Sequence, residues 1–164
     1  MSFRRYAYVG PESVRQSSSS LPTGIPIRSV DDLTAWIASC MSNEDFADHI
    51  IVTFVIDCDW ELLLAPRRSE HVACAAGGPV LSAGEMTFSP ECDIVEVSNH
   101  STGFCPEPES WKYVAAALDR LSLSHPGAFT RPVVFRLCPE CHERNIVKDD
   151  WFVCDLCGSD LPKS

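Results

Sequence analysis

Leu137-Cys-Pro-Glu-Cys-His-Glu-Arg-Asn-Ile-Val-Lys-Asp-Asp-Trp-Phe-Val-Cys-Asp-Leu-Cys-Gly158 is the stretch from which the rest of the chain can be read. Cys138 and Cys141 make one CxxC pair and Cys154 and Cys157 a second, with twelve residues between them. A CxxC turn aims two sulfurs at one point. Two such turns on neighbouring arms of a hairpin complete a tetrahedron of four thiolates, the donor set of structural Zn²⁺. Four protein ligands leave no open coordination position, so the metal reads as structural. Gly158 follows the second pair, where a tight knuckle favours a residue at ease with positive φ. Between the pairs, Asn145-Ile-Val-Lys148 and Trp151-Phe-Val153 read as two short strands joined by the polar turn Lys148-Asp-Asp150. Residues 138–164 are therefore expected to form a zinc ribbon, with His142 a bystander behind a complete pair.

Working back from the ribbon, Val133–Leu137 is a strand that feeds the first knuckle, which predicts a ribbon docked on an α+β domain spanning residues 1–137. The strongest strand pattern there is His49-Ile-Ile-Val-Thr-Phe-Val-Ile56, nearly continuous in β-branched and aromatic residues, as a central strand buried on both faces would be. Asp57-Cys-Asp59 turns it and Trp60–Ala65 returns as a hairpin. Arg5–Val9 and Ile25–Arg28 read as further strands, and the serine-rich stretch between them, through Pro26, as an exposed loop. Ser29 is placed to cap a helix on which Val30, Leu33, Ile37, Cys40 and Met41 share a face widened by Trp36. From His71 to Gly84 the residues are small, with nothing to build a helix face. Glu85–Phe88 and Asp93–Ser98 are two more strands, and the long polar loop Asn99–Pro108 leads to a second amphipathic helix bearing Trp111, Val114, Ala115, Leu118 and Leu121. The fold expected is α+β, a mainly antiparallel sheet with two amphipathic helices and a C-terminal zinc ribbon.

Composition narrows the function classes. Of 164 residues, 45% are apolar, enough for a real core, and no apolar run approaches the roughly 18 residues of a membrane helix. Met1-Ser-Phe-Arg-Arg5 opens no signal peptide, and an odd number of cysteines outside the four ligands argues for free thiols in a reducing compartment, so a cytoplasmic location is expected. The formal charge of −10 becomes more negative by two when four thiolates hold one Zn²⁺. So acidic a chain repels phosphate backbones, which disfavours nucleic acid as a partner.

The run from Ile56 to Leu121 resembles a segment found in many uncharacterised bacterial proteins, some of them toxin-like, and is similar to a region of plant calmodulin-binding proteins with an IQ motif. The resemblance rests on two boxes. Gly77-Gly-Pro-Val-Leu-Ser-Ala-Gly-Glu85 matches a GGxVxxAGE pattern, and Asn99-His-Ser-Thr-Gly-Phe-Cys-Pro106 stands where the other proteins have NxSGHYxP. Here Thr-Gly-Phe replaces Gly-His-Tyr, which removes the histidine and the tyrosine hydroxyl of that box. The resemblance implies a setting in bacterial toxin or conflict systems and imports no established activity.

Two readings of the middle segment stay open. If the loops meet, His71, Glu85 and Ser101 are candidate catalytic groups, with Gly77, Gly78, Asn99 and Thr102 around a small ligand, a polar cluster suited to a nucleotide or a sugar-like group. Alternatively, His71 and Glu85 satisfy backbone groups of irregular loops. Cys74, flanked by alanines, reads as a small buried hydrophobe rather than a nucleophile. With a closed metal site, an acidic surface and no complete catalytic signature, the sequence favours a zinc-stabilised module that binds a protein partner over an enzyme or small-ligand binder.

Overall fold

A computed structural model describes residues 2–41 and 49–164. Its centre is β2 (Ile50–Ile56), flanked by β3 (Leu62–Pro66) and β4 (Ser82–Phe88). With β1 (Ile25–Ile27) and β5 (Ile94–Ser98) at the edges the order is β1-β3-β2-β4-β5, and every pairing in this sheet is antiparallel. The expected fold class is the one observed.

The apolar run of β2, interrupted only by Thr53, reflects burial on both faces. Val52, Phe54 and Ile56 meet Leu33 and Ile37 of α2 (Val30–Met41) and Tyr113, Val114, Ala117 and Leu118 of α4 (Trp111–Arg120). Val55, one pleat over, joins Tyr6, Val72, Val80, Ala83 and Phe104 on the opposite face. Helix α2 starts where the sequence places it: the Asp32 N–H donates to Ser29 Oγ at 3.0 Å, and Asp32 Oδ2 accepts from the Arg28 N–H at 2.9 Å. Its buried face is narrower than expected. Leu33 and Ile37 carry it, whereas Cys40 is half-buried and Val30 and Met41 are exposed.

Four expectations are corrected. Residues 12–18, inside the stretch read as loop, form helix α1 (Glu12–Ser18), with Glu12 at its positive end and Arg15 in its last turn. His71–Cys74 forms the single-turn helix α3, all four residues buried, because packing against the sheet replaces the amphipathic face its small residues lack. Arg5–Val9 contributes only an isolated bridge, Tyr6 to Val80. Trp151–Val153 is not a strand: β6 (Val134–Leu137) pairs with β7 (Arg144–Val147) in a two-stranded sheet of its own, and β6 belongs to that hairpin rather than to the main sheet.

Polar contacts join the hairpin to the body. Asn99, wholly buried, donates through Nδ2 to the carbonyls of Pro106 (2.8 Å) and Val133 (2.7 Å) and accepts the Val133 N–H on Oδ1 at 2.7 Å. One Arg136 guanidinium nitrogen donates to both carboxylate oxygens of Glu107 at 3.1 and 3.3 Å, while the rest of the group holds the carbonyls of Pro162 and Lys163.

Candidate metal centre

The first CxxC is the turn of the β6–β7 hairpin. Cys138 N–H donates to Glu143 O at 2.8 Å and His142 N–H donates to Cys138 O at 3.0 Å. The second pair repeats the pattern: Cys154 N–H to Ser159 O at 2.8 Å and Gly158 N–H to Cys154 O at 2.9 Å. Each knuckle needs left-handed backbone just after its second cysteine, met by His142 at φ 61° and Gly158 at φ 76°. His142, expected to stand aside from the metal, is thus a turn residue of the knuckle.

The two knuckles face each other. The sulfurs of Cys138, Cys141, Cys154 and Cys157 all lie within 4.8 Å of one another, the one such group of donor atoms among the described residues. Cys138 to Cys157 and Cys141 to Cys154 are each 3.6 Å. A tetrahedron with metal–sulfur bonds of about 2.3 Å has edges of roughly 3.8 Å, so these residues fit a four-coordinate ion of zinc's size. The surroundings favour anionic sulfur unevenly. Cys154 falls to about 6 through the backbone of Cys157 and the amide of Asn145, and Cys157 is lowered by the Ser159 hydroxyl. Against the backbone of Glu143, which favours its thiolate, Cys141 is pushed up to about 12 by desolvation and by hydrogen bonds with the three other thiols.

Asn145 is the functional residue that sequence reading missed. Buried in β7, it donates through Nδ2 to Cys154 Sγ at 3.4 Å and to Glu143 O at 3.0 Å, while Oδ1 accepts the Asp155 N–H at 2.9 Å. It therefore ties the two knuckles together and orients one ligand. The available signal was an amide side chain at an inward position of a strand beside the ligands.

The central loops use their polar groups differently. His71 is 5% exposed; its Nε2 lies 2.9 Å from Gly84 O, and its Nδ1 accepts the Thr102 N–H at 3.2 Å and lies 3.0 Å from Thr102 Oγ1. A carbonyl and an N–H partner fix the tautomer: Nε2 carries the proton and Nδ1 accepts. Burial holds the imidazole below its ordinary 6.5, against the opposing pull of the Gly84 carbonyl and the nearby Glu85 and Glu70 carboxylates. The Thr102 hydroxyl also donates to Glu70 Oε2 at 2.9 Å.

His71, outside both sequence boxes, thus bridges Gly84 of the first and Thr102 of the second, but the other candidates go elsewhere. Glu85 turns toward Arg67 at 3.8 Å, Asn99 clamps Pro106 and Val133, and Ser101 Oγ is buried without a hydrogen-bond partner among the described residues. Gly77 occupies left-handed backbone at φ 78°, and Gly78 closes the same turn. Gly84 is fixed by space, since a Cβ there would sit 1.8 Å from Ser98 O. Cys74 is fully buried and its thiol is pushed up to about 12 by desolvation, the inert hydrophobe expected.

No family model matches the chain, and neither the curated proteins nor the solved structures contain a match. These comparisons lend no support to the resemblance read from the two boxes of the middle segment. What is established is a set of four cysteines positioned to hold a metal ion in an α+β chain. None of its described helices is long and apolar enough to cross a membrane.

Proposed function

We propose that this chain is a protein-interaction module whose C-terminal ribbon, which begins with β6 and docks on the body that precedes it, is held by one structural Zn²⁺. The observation that carries the metal reading is the convergence of four sulfurs from two matched knuckles. Bound Zn²⁺ would supply a closed cross-link between the knuckles. Cys138, Cys141, Cys154 and Cys157 would hold it, and Asn145 would orient Cys154.

The make-up of the ribbon supports a structural role. Its buried apolar cluster is Cys138, Cys154 and Leu161, with Val147 and Phe152 half-buried against it, so the one buried apolar side chain of that cluster that is not a ligand is a leucine. Burying a leucine contributes about 1.5–3 kcal/mol, comparable to the entropy lost on ordering one or two residues. A segment so poor in core depends on its ion. Meanwhile Leu137, Ile146, Trp151 and Leu156 stand exposed at 40–68% on the ribbon, apolar surface of the kind that protein partners cover.

A nucleotide or sugar-like ligand at the central loops is the weaker reading. His71 has both ring nitrogens engaged inside the protein, and the side chains of Glu85 and Asn99 are directed to other partners.

The test has two parts. Chain purified without chelator should contain one zinc per molecule. Chelation should erase the dispersed amide signals of β7 while those of β2 persist. Absence of stoichiometric metal, or a β7 indifferent to chelation, would refute the metal reading. For the interaction, affinity capture should recover a partner lost on Trp151→Ala. Small-molecule hits that raise the melting temperature, with no partner recovered, would overturn it.

A further inference from the structure

The spacer between the knuckles begins a hairpin and does not finish it. Asp149 and Asp150 both take positive φ (52° and 56°), and the Trp151 N–H donates to Lys148 O at 2.9 Å, the geometry of a type I′ turn that ordinarily starts a two-residue hairpin. The strand that should return along β7 instead leaves for the second knuckle: Val153 bridges Asp160, and the Asn145 side chain spans the gap to the Asp155 N–H. A groove of about 570 Å³ remains between β7 and residues 151–156.

The edge of β7 that faces this groove is polar along its backbone. Glu143 O accepts the Cys138 N–H, so residue pairs two apart along the ladder, Arg136–Asn145 and Val134–Val147, are the hydrogen-bonded ones. Arg144 and Ile146 then turn their N–H and C=O groups away from β6. Ile146, Trp151 and Leu156, at 40%, 66% and 68% exposure, supply apolar contacts along the same groove. An unpaired edge beside exposed apolar side chains suits an added strand.

Charge identifies the kind of strand. Residues 138–164 carry six carboxylates against three Lys and Arg side chains. Glu143 and Asp155 line the groove together with Arg144 and Lys148; exposed Asp149 and Asp150 add two carboxylates at its turn, and the Arg144 guanidinium reaches back to Cys105 Sγ at 3.9 Å, which leaves Lys148 against four carboxylates there. Trp151 offers an open ring face to a cation. We propose that the outer edge of β7 receives an extended peptide of alternating apolar and basic residues from a protein partner, completing a three-stranded sheet in the ribbon. This rests on the ion-held ribbon proposed above.

The experiment uses the full chain in reducing buffer without chelator, its zinc content measured first, so that a metal-free chain, which sinks the earlier reading and this one with it, is told apart from a zinc-loaded chain that fails to bind, which sinks this one alone. A random nonapeptide library displayed on phage is selected on it. Alternating apolar and Lys/Arg sequences should be enriched. A synthetic peptide of the enriched sequence should protect the Arg144 and Ile146 amides from exchange, and methylating its alternate backbone nitrogens should abolish binding. Trp151→Ala and Leu156→Ala, both at well-exposed positions, should each weaken binding by at least about tenfold. The proposal is overturned by no enrichment from zinc-loaded chain, by enrichment of acidic or non-alternating sequences, or by binding that both variants leave unchanged. A single-stranded oligonucleotide binding tighter than the selected peptide, or a concentration-dependent dimer protecting the same amides, overturns it equally.

Discussion

Acidification should destabilise this protein through His71. In the folded chain the Nδ1 lone pair receives the Thr102 N–H, so a proton there would set two donors 3.2 Å apart inside a site only 5% exposed. The unfolded chain has no such restriction and binds a proton near pH 6.5. The folded pKa lies below that value. Between the two, the unfolded state holds more protons, so stability rises with pH through the window and is lost as pH falls from 6.5 toward the folded pKa. The limiting slope is about 1.4 kcal/mol per pH unit, so acidifying from 6.5 to 5.5 should remove at most about that much. Urea unfolding at a series of pH values measures the slope in wild type and in His71→Gln, the difference cancelling contributions from the metal ligands and the other histidines. Imidazole nitrogen shifts check the cause directly: His71 should remain neutral, protonated on Nε2, below pH 6.5. A His71 that titrates at or above 6.5, carries its proton on Nδ1, or leaves the two slopes equal would refute the reasoning.

Gly84→Ala should destabilise by at least about 3 kcal/mol in denaturant unfolding, because its Cβ would meet the backbone carbonyl of Ser98 in the adjacent strand, which cannot rotate away. Gly158→Ala meets no atom within 4 Å and should isolate the backbone penalty of a left-handed turn, about 1–2 kcal/mol, read as weaker zinc retention in a chelator competition; His142→Gly at the matching position should strengthen retention. Arg136→Ala leaves the Glu107 carboxylate without its shortest partner and frees two carbonyls near the C-terminus, so it should destabilise by about 2–3 kcal/mol and speed proteolysis after Pro162.

Where one local signal dominated, the sequence was sufficient. The apolar run of β2, the serine cap of α2, the periodicity of α4 and the two CxxC pairs each fix their element through neighbours in the chain, and all four are present. The elements that escaped are decided by distant contacts. Serines at 17–20 have loop composition, yet α1 forms, with Ser18 buried and the helix packed near α3. His71–Cys74 has no amphipathic face because it has no exposed face. Trp151-Phe-Val153 has strand composition, but the second knuckle takes the chain elsewhere. The candidate loops show the same limit: the sequence places His71 and Thr102 in loops that could meet, and their meeting is observed, but that the imidazole faces a strand carbonyl is decided by the packing of α3 on the sheet.

The ribbon is assembled from nearby residues, Val134 with Val147 in the hairpin and Cys138 with Cys157 across the knuckles, whereas the main sheet joins Ile25 to Leu64 and Ile50 to Phe88. Short loops close quickly and long ones slowly. An ion held by these four cysteines would therefore be lost and regained through a local rearrangement of the tail while the long-range pairings of the sheet stay in place, which would make metal supply a reversible control over whatever surface the tail displays.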